Sequence, residues 1–153
     1  MPDRTFDLEE RLLNYAAQIV RLVENLPNTR AGNHIAGQLL RSGTSALPNH
    51  GEAEGAESKN DFIHKLGICH KELRESRRWL KLIQRVPLLT DAAALDAALN
   101  ETDELVRIFA ASIRTARANG CREDGEPYAT GEKGTLNSQR STLNVQVGRT
   151  AND

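Results

Sequence analysis

Apolar residues recur at alternating steps of four and three along four stretches of the chain, and this spacing predicts four amphipathic α-helices. The third stretch, from Phe62 to Val86, has the clearest pattern, with an apolar seam on one face and basic residues on the nearly opposite face. The seam contains Phe62, Leu66, Cys69, Leu73, Ser76, Leu80 and Ile83. The basic residues, here called the cationic row, are Lys71, Arg74, Arg78, Lys81 and Arg85.

Helix-breaking and helix-capping residues set the predicted ends of these helices. Pro27 and Pro87 stop the first and third helices, because proline is poorly tolerated inside a helix. Thr29 and Ser58 have the side chains of N-cap residues. The predicted helices are residues 7–26, 30–54, 58–86 and 91–118.

The second stretch is ambiguous, because it contains several glycines and also Pro48. It reads either as a helix broken by loops or as a helix whose small residues let a neighbouring backbone come close, with a kink at Pro48. We favour the continuous helix, because the flanking helices carry uninterrupted seams that need a partner here.

Four amphipathic helices with short connections predict an all-α protein, an antiparallel up-and-down four-helix bundle formed by residues 1–119. Residues 120–153 are rich in Gly, Ser, Thr, Asn and Gln, and we expect a disordered tail there. Residues 143–147 alternate like a short strand, but no partner strand is evident.

The amino-acid composition limits the expected cellular location and the expected classes of function. The 153 residues carry a net charge of −1, so the whole chain has no basic character that would indicate nucleic acid. Aromatic residues make up only 4%, which disfavours a stacking platform for single strands. No signal peptide or membrane-spanning run is visible, and the two cysteines have no paired spacing, so we expect a cytoplasmic protein without disulfides.

The chemistry-bearing residues do not assemble into a recognisable site. His64 and His70 are six residues apart and lie on different helix faces, and no zinc-binding or di-metal spacing is present. Ser42, Thr44 and Ser45 have no paired base and are better explained as small packing residues. We therefore expect no metal, no cofactor, no catalytic residue and no small-molecule substrate; a carboxylate pair involving Glu72 or Glu75 is a remote enzymatic alternative.

Two surfaces of the third helix have both a functional and a structural interpretation. The cationic row is either a contact for phosphates or an acidic partner, or a solvated helix face, and solvated faces are the commoner case. A second stripe, here called the Trp79 stripe, is either a bundle edge or a subunit interface. The Trp79 stripe contains Ile68, Glu72, Glu75, Trp79 and Val86.

The middle of the sequence carries a series of motifs. Arg41-Ser42-Gly43-Thr44-Ser45 is followed by Pro48-Asn49, then by Ser58-Lys59 with Phe62-Ile63 and Lys65-Leu66, and later by Lys71-Glu72, Glu75 and Trp79-Leu80. This series resembles the four helix bundle protein family, also called the 23S rRNA-intervening sequence protein family, over about residues 6–118. The chain departs from the family pattern at His50-Gly51, where related sequences often read Ile-Ala-Glu.

The resemblance implies a non-enzymatic bundle that assembles into a homo-oligomer, typically a pentamer. It favours a subunit interface at the Trp79 stripe, with Arg41 as a partner for Glu72 or Glu75 within or between chains. It also implies a relation to the accessory variability protein of diversity-generating retroelements, a basic pentamer thought to bind nucleic acid. We therefore expect a homo-oligomer, with RNA or DNA as the candidate partner of the cationic row; the alternative is a structural or protein-docking oligomer without nucleic-acid binding.

Overall fold

The chain forms four α-helices in a computed structural model that describes residues 7–120. The helices are α1 (Leu8–Glu24), α2 (Arg30–Glu54), α3 (Lys59–Arg85) and α4 (Ala92–Gly120). Each helix packs against the next in sequence, and α1 also contacts α4, which closes the bundle. The predicted all-α four-helix architecture is confirmed. The predicted disordered tail and the short strand-like segment lie outside the described residues.

Capping side chains fix the start of each helix. Thr29 Oγ1 accepts a hydrogen bond from Gly32 N, and Ser58 Oγ accepts one from Asp61 N, so both predicted N-caps are confirmed. Asp7 and Asp91 cap α1 and α4 in the same way. These bonds satisfy backbone N–H groups that have no partner inside the helix.

Helix α2 is continuous from Arg30 to Glu54 and runs through Pro48, as the second of our two interpretations predicted. Its small residues allow a neighbouring helix to pack closely against it. A Cβ atom added to Gly43 would lie 2.7 Å from Ile19 Cγ2, which is closer than real Cβ atoms approach. Gly43 therefore lets α1 and α2 pack together at this point.

A polar layer crosses the middle of the apolar core, with one residue from each helix. Tyr15 Oη lies 2.7 Å from Thr102 Oγ1, and Ser76 Oγ lies 2.9 Å from Ser42 Oγ. All four side chains are buried, and burial raises the pKa of Tyr15 to about 12 despite its hydrogen bonds to Thr102 and Ser76. Because a displaced helix would leave these groups unpaired, the layer favours one alignment of the four helices.

Candidate functional site

Helix α3 has one buried apolar face and one exposed basic face, as its sequence predicts. Its entire predicted seam, from Phe62 to Ile83, is buried, with Leu73 and Leu80 fully inaccessible. All five residues of the cationic row are exposed. The predicted orientation of α3 is therefore confirmed, and the row is available at the surface.

The cationic row differs from the other basic residues of α3 in its surroundings. Lys65 Nζ lies 2.5 Å from Glu52 Oε2 of α2. Arg77 Nε lies 2.9 Å from Asp103 Oδ1 of α4, although its N–H does not point at the carboxylate, so this contact is an ion pair without a hydrogen bond. Within residues 7–120, no member of the row forms an ion pair or a side-chain hydrogen bond.

Geometry gives the row its length and direction. Lys71 and Arg85 are fourteen residues apart, which corresponds to about 21 Å along a helix that rises about 1.5 Å per residue. The row lies toward α4, since Arg77, its neighbour on that side, contacts α4. Trp79 lies on the opposite flank of α3, toward α2, where it packs against His34. The row thus offers charge without an aromatic surface.

The acidic residues of the Trp79 stripe are paired within the chain. Arg41 of α2 reaches across to α3, where one guanidinium nitrogen lies 3.1 Å from Glu72 Oε2 and the other contacts Glu75 Oε1. Burial alone would raise the pKa of Glu75, but the hydrogen bonds from Arg41 and Trp79 outweigh it and the pKa is lowered. Arg41 is therefore a partner of both glutamates. These two ion pairs, here called the Arg41 fork, hold α2 against α3.

Trp79 is only half-buried. Its indole Nε1 donates to Glu75 Oε1 at 3.3 Å, and its ring meets His34 edge-on with the ring centroids 6.0 Å apart. Ile68, about three helical turns before Trp79 in the stripe, is also half-buried. The stripe is a mixed polar and apolar surface whose charges are satisfied, and its use as a subunit interface stays a prediction.

His50 is a buried residue that the sequence reasoning did not place in the core. It is 1% exposed, its ring lies edge-on to Phe109, and neither ring nitrogen has a hydrogen-bond partner among the described residues. Burial lowers the pKa of His50, although the nearby carboxylates of Glu54, Glu9 and Asp7 oppose this. The sequence signal for this burial was the departure from the family pattern at His50, because related sequences often have the apolar residue Ile at that position.

The remaining reactive groups of residues 7–120 do not come together in a site. Cys69 is buried, its Sγ lies 3.5 Å from the carbonyl of Ala46, and burial raises its pKa to about 12, so the thiolate is strongly disfavoured. No cluster of three or more metal-ligating side chains occurs within residues 7–120. In the same part of the chain, no helix is long and apolar enough to cross a membrane.

The fold places this protein in the class of all-α four-helix bundles. Its third helix carries an exposed row of cations, and Arg41 joins two glutamates on the flank of that helix. Residues 5–111 match the family model described as 23S rRNA-intervening sequence protein. The chain belongs to the 23S rRNA-intervening sequence protein family.

One solved structure agrees with this assignment. The chain is similar to a protein with unknown function from the S23 ribosomal protein family of Bacteroides thetaiotaomicron VPI-5482, whose crystal structure was determined at 1.70 Å resolution. The sequences are 34% identical, the TM-score is 0.65, and the match covers 70% of this chain and 98% of the other. No match to the chain is found among the curated proteins.

Proposed function

We propose that this protein is a non-enzymatic, homo-oligomeric bundle that binds RNA or DNA through the cationic row. The observation that carries the proposal is the exposure of the row: five exposed cations occupy one side of α3, and none of them forms an ion pair or a side-chain hydrogen bond in residues 7–120, although the charge of Lys71 helps to lower the pKa of Glu75. Like charges at this helical spacing repel one another slightly, so the row does not serve the stability of the helix.

The row suits a nucleic-acid backbone better than its bases. Lys and Arg side chains neutralise phosphates and release condensed counterions, and this contact is independent of sequence. Base stacking would need exposed aromatic side chains, and Trp79 faces away from the row toward α2. We therefore expect the row to follow a phosphate backbone over about 21 Å.

Assembly would strengthen such binding. One row offers at most five contacts, whereas several copies in one particle present several rows and raise the effective concentration for each further contact. Exposed Leu13, Val20 and Leu40 support association of the chain, because large apolar side chains at a surface favour burial. Five copies is the number that the family resemblance suggests.

Fluorescence anisotropy with short labelled DNA and RNA duplexes tests the nucleic-acid role. If all five cations contact phosphates, a plot of log K against log salt should have a slope near −4.5 per chain, from five contacts at about 0.9 each. The double variant Arg78→Glu/Lys81→Glu should abolish binding. Arg21→Glu/Arg114→Glu, which makes the same change of charge at exposed positions on α1 and α4, is the matched control. Equal binding by the two double variants would show that the row is a solvated face.

A structural or protein-docking oligomer without nucleic-acid binding is the second candidate. The same exposed apolar residues on α1 and α2 favour it. It predicts no shift in anisotropy even at low salt, together with an oligomeric mass in solution.

A further inference from the structure

A cleft lies at one end of the bundle, between the last turns of α1 and the start of α4. Its volume is about 360 Å³, which is within the range of small-molecule sites. No member of the cationic row or of the Trp79 stripe lines it, so neither of those surfaces accounts for it. The lining includes Gln18, Arg21 and Leu22 of α1, and Leu89, Thr90 and Asp91 of the connection that leads into α4.

The bottom of this cleft is apolar. Leu22 and Leu89 are 4% and 8% exposed and belong to the core, whereas Arg21, Thr90 and Asp91 are exposed. The cleft therefore has a buried apolar wall below and polar side chains around its mouth. This is the usual arrangement of a site that holds the apolar part of a ligand and orients it through a few polar groups.

Two opposite charges line the cleft without pairing with each other. The side chain of Arg21 forms no ion pair and no hydrogen bond within residues 7–120. Asp91 Oδ1 accepts a hydrogen bond from Ala94 N at 3.0 Å, which fixes the carboxylate at the start of α4, and its other oxygen has no partner in the described chain. Both charges are therefore available to a third group.

The same two helices bring another pair of opposite charges into direct contact. Arg11 and Glu101 lie ten residues before Arg21 and ten residues after Asp91. They form two hydrogen bonds, of 2.6 Å from Arg11 Nε and 3.0 Å from Arg11 Nη2. The side of the bundle between α1 and α4 is thus closed by an ion pair at Arg11, whereas at Arg21 the two charges stand apart around an open cleft.

The two charges select the chemical class of the ligand. A ligand with only a negative charge would be repelled by Asp91, and one with only a positive charge would be repelled by Arg21. A free amino acid meets neither penalty, because its carboxylate can accept from the guanidinium while its ammonium group donates to Asp91. An aliphatic side chain on that amino acid would lose its contact with water against Leu22 and Leu89.

We propose that this cleft binds a free aliphatic α-amino acid, with the carboxylate on Arg21, the ammonium group on Asp91 and the side chain on Leu22 and Leu89. Gln18 and Thr90, whose side chains have no hydrogen-bond partner in residues 7–120, supply further polar contacts at the mouth. Because both charged groups are exposed to water, we expect binding in the millimolar range. The inference does not depend on the proposed nucleic-acid role.

Nuclear magnetic resonance titrations of the full, nitrogen-labelled chain test the ligand class. L-Leucine is the probe, and two analogues of its shape each lack one charge: isocaproate has no ammonium group and isoamylamine has no carboxylate. L-Leucine should shift the backbone amide signals around the cleft. Each analogue should bind about tenfold more weakly or less, because one charge-assisted hydrogen bond is lost and one protein charge repels nothing but still faces the ligand unpaired.

Variants test the two assigned contacts. Arg21→Gln and Asp91→Asn should each weaken L-leucine binding about tenfold. Asparagine is as good an N-cap as aspartate, so Asp91→Asn removes the charge and keeps the start of α4. Arg114→Gln makes the same change as Arg21→Gln at an exposed position outside the cleft and should leave the affinity unchanged. Circular dichroism checks that each variant is folded.

A comparison of ligands in one variant separates a contact from a structural effect. In Arg21→Gln, L-leucine should lose its advantage over isoamylamine, because the carboxylate no longer has a cation to bind; a variant that merely loosens the cleft would keep that advantage.

The outcomes decide the inference independently of the proposed function. Binding of L-leucine that falls in both cleft variants and not in Arg114→Gln supports the amino-acid site. The absence of shifts at tens of millimolar L-leucine, shifts spread away from the cleft, or equal binding of either analogue by the wild type overturns it. None of these results bears on anisotropy with nucleic acid or on the mass in solution, so the proposed function stands or fails by its own tests.

Discussion

His50 lies edge-on against Phe109 in the core, with the ring centroids 6.2 Å apart, and both of its ring nitrogens are buried without a hydrogen-bond partner among the described residues. A charged imidazole in this position would be shielded from water, and the nearby carboxylates of Glu54 (4.0 Å away), Glu9 and Asp7 only partly offset the cost of that burial. The fold therefore holds His50 in its neutral form.

This environment predicts a loss of stability in mild acid. The folded pKa of His50 is lowered, so below about pH 6.5 the unfolded chain takes up a proton that the folded chain does not. The contribution of neutral His50 to the free energy of unfolding is therefore fully present above that pH. It falls by at most about 1.4 kcal/mol per pH unit as the pH decreases toward the folded pKa. Urea unfolding between about pH 5 and 7.5 measures this change.

The variant His50→Leu should reduce that pH dependence, because it removes the buried titrating group while keeping an apolar side chain in the core. His64→Leu, at an exposed position on α3, is the control and should keep the wild-type slope. Parallel slopes for the two variants would mean that His50 titrates alike in the folded and unfolded chain.

The Arg41 fork predicts a larger effect than other surface ion pairs. Glu72 is 8% exposed, and Arg41→Ala removes its ionic partner, so a buried carboxylate stays behind unpaired. The urea midpoint should fall further for Arg41→Ala than for Arg107→Ala, whose partner Glu104 is well exposed. Adding Glu72→Gln to Arg41→Ala should restore part of the loss; no recovery would show that the charge on Glu72 is not the cause.

The polar layer in the core predicts coupled effects at Tyr15 and Thr102. Each of Tyr15→Phe and Thr102→Val breaks the 2.7 Å contact and should cost about 1 kcal/mol of folding free energy, because one buried hydroxyl loses a partner. The double variant should cost less than the sum, since the second change removes the group whose partner was lost in the first. Additive losses in urea unfolding would contradict a direct interaction.

Two glycines should respond in opposite directions to the same substitution. Gly43→Ala places a methyl group 2.7 Å from Ile19 Cγ2 and should destabilise the fold by about 1–3 kcal/mol through overpacking. Gly67→Ala, at a helical position in α3 with nothing within 4 Å, should stabilise it by about 0.5–1 kcal/mol. Thermal unfolding of the two variants measures the contrast, and a stabilising Gly43→Ala would show that α1 can move away at little cost.

The Trp79 stripe predicts sensitivity of the oligomer to Ile68. Ile68→Arg should lower the mass in solution if the stripe is a subunit interface, because a desolvated guanidinium would replace a half-buried apolar group. Ile63→Arg, which changes a half-buried residue of α3 that packs against the core instead of in the stripe, is the control, and circular dichroism checks that both variants fold. The same mass for both variants and the wild type would remove the stripe as an interface.

Local sequence accounts for most of the fold. The steps of four and three predicted which face of α3 is buried, and Thr29 and Ser58 predicted where α2 and α3 begin, because helix periodicity and capping depend on residues close in sequence. The same helical periodicity predicted that the cationic row is exposed. The pairing of Arg41 with Glu72 and Glu75 was suggested by the family motif, which left open whether it occurs within or between chains.

Other features depend on which helices meet, and only the tertiary structure decided them. His50 lies on the same face of α2 as the buried Leu39, Ala46 and Ala53, but only the packing of α2 on α4 decided that this face meets Phe109. Likewise, Ser42, Ser76, Tyr15 and Thr102 come from four separate helices, and no spacing within one helix predicts that they share a layer. The sequence by itself determined the helices, their ends and their buried faces, whereas the packing of those faces decided the partner of each buried polar group, because such contacts join residues that are distant along the chain.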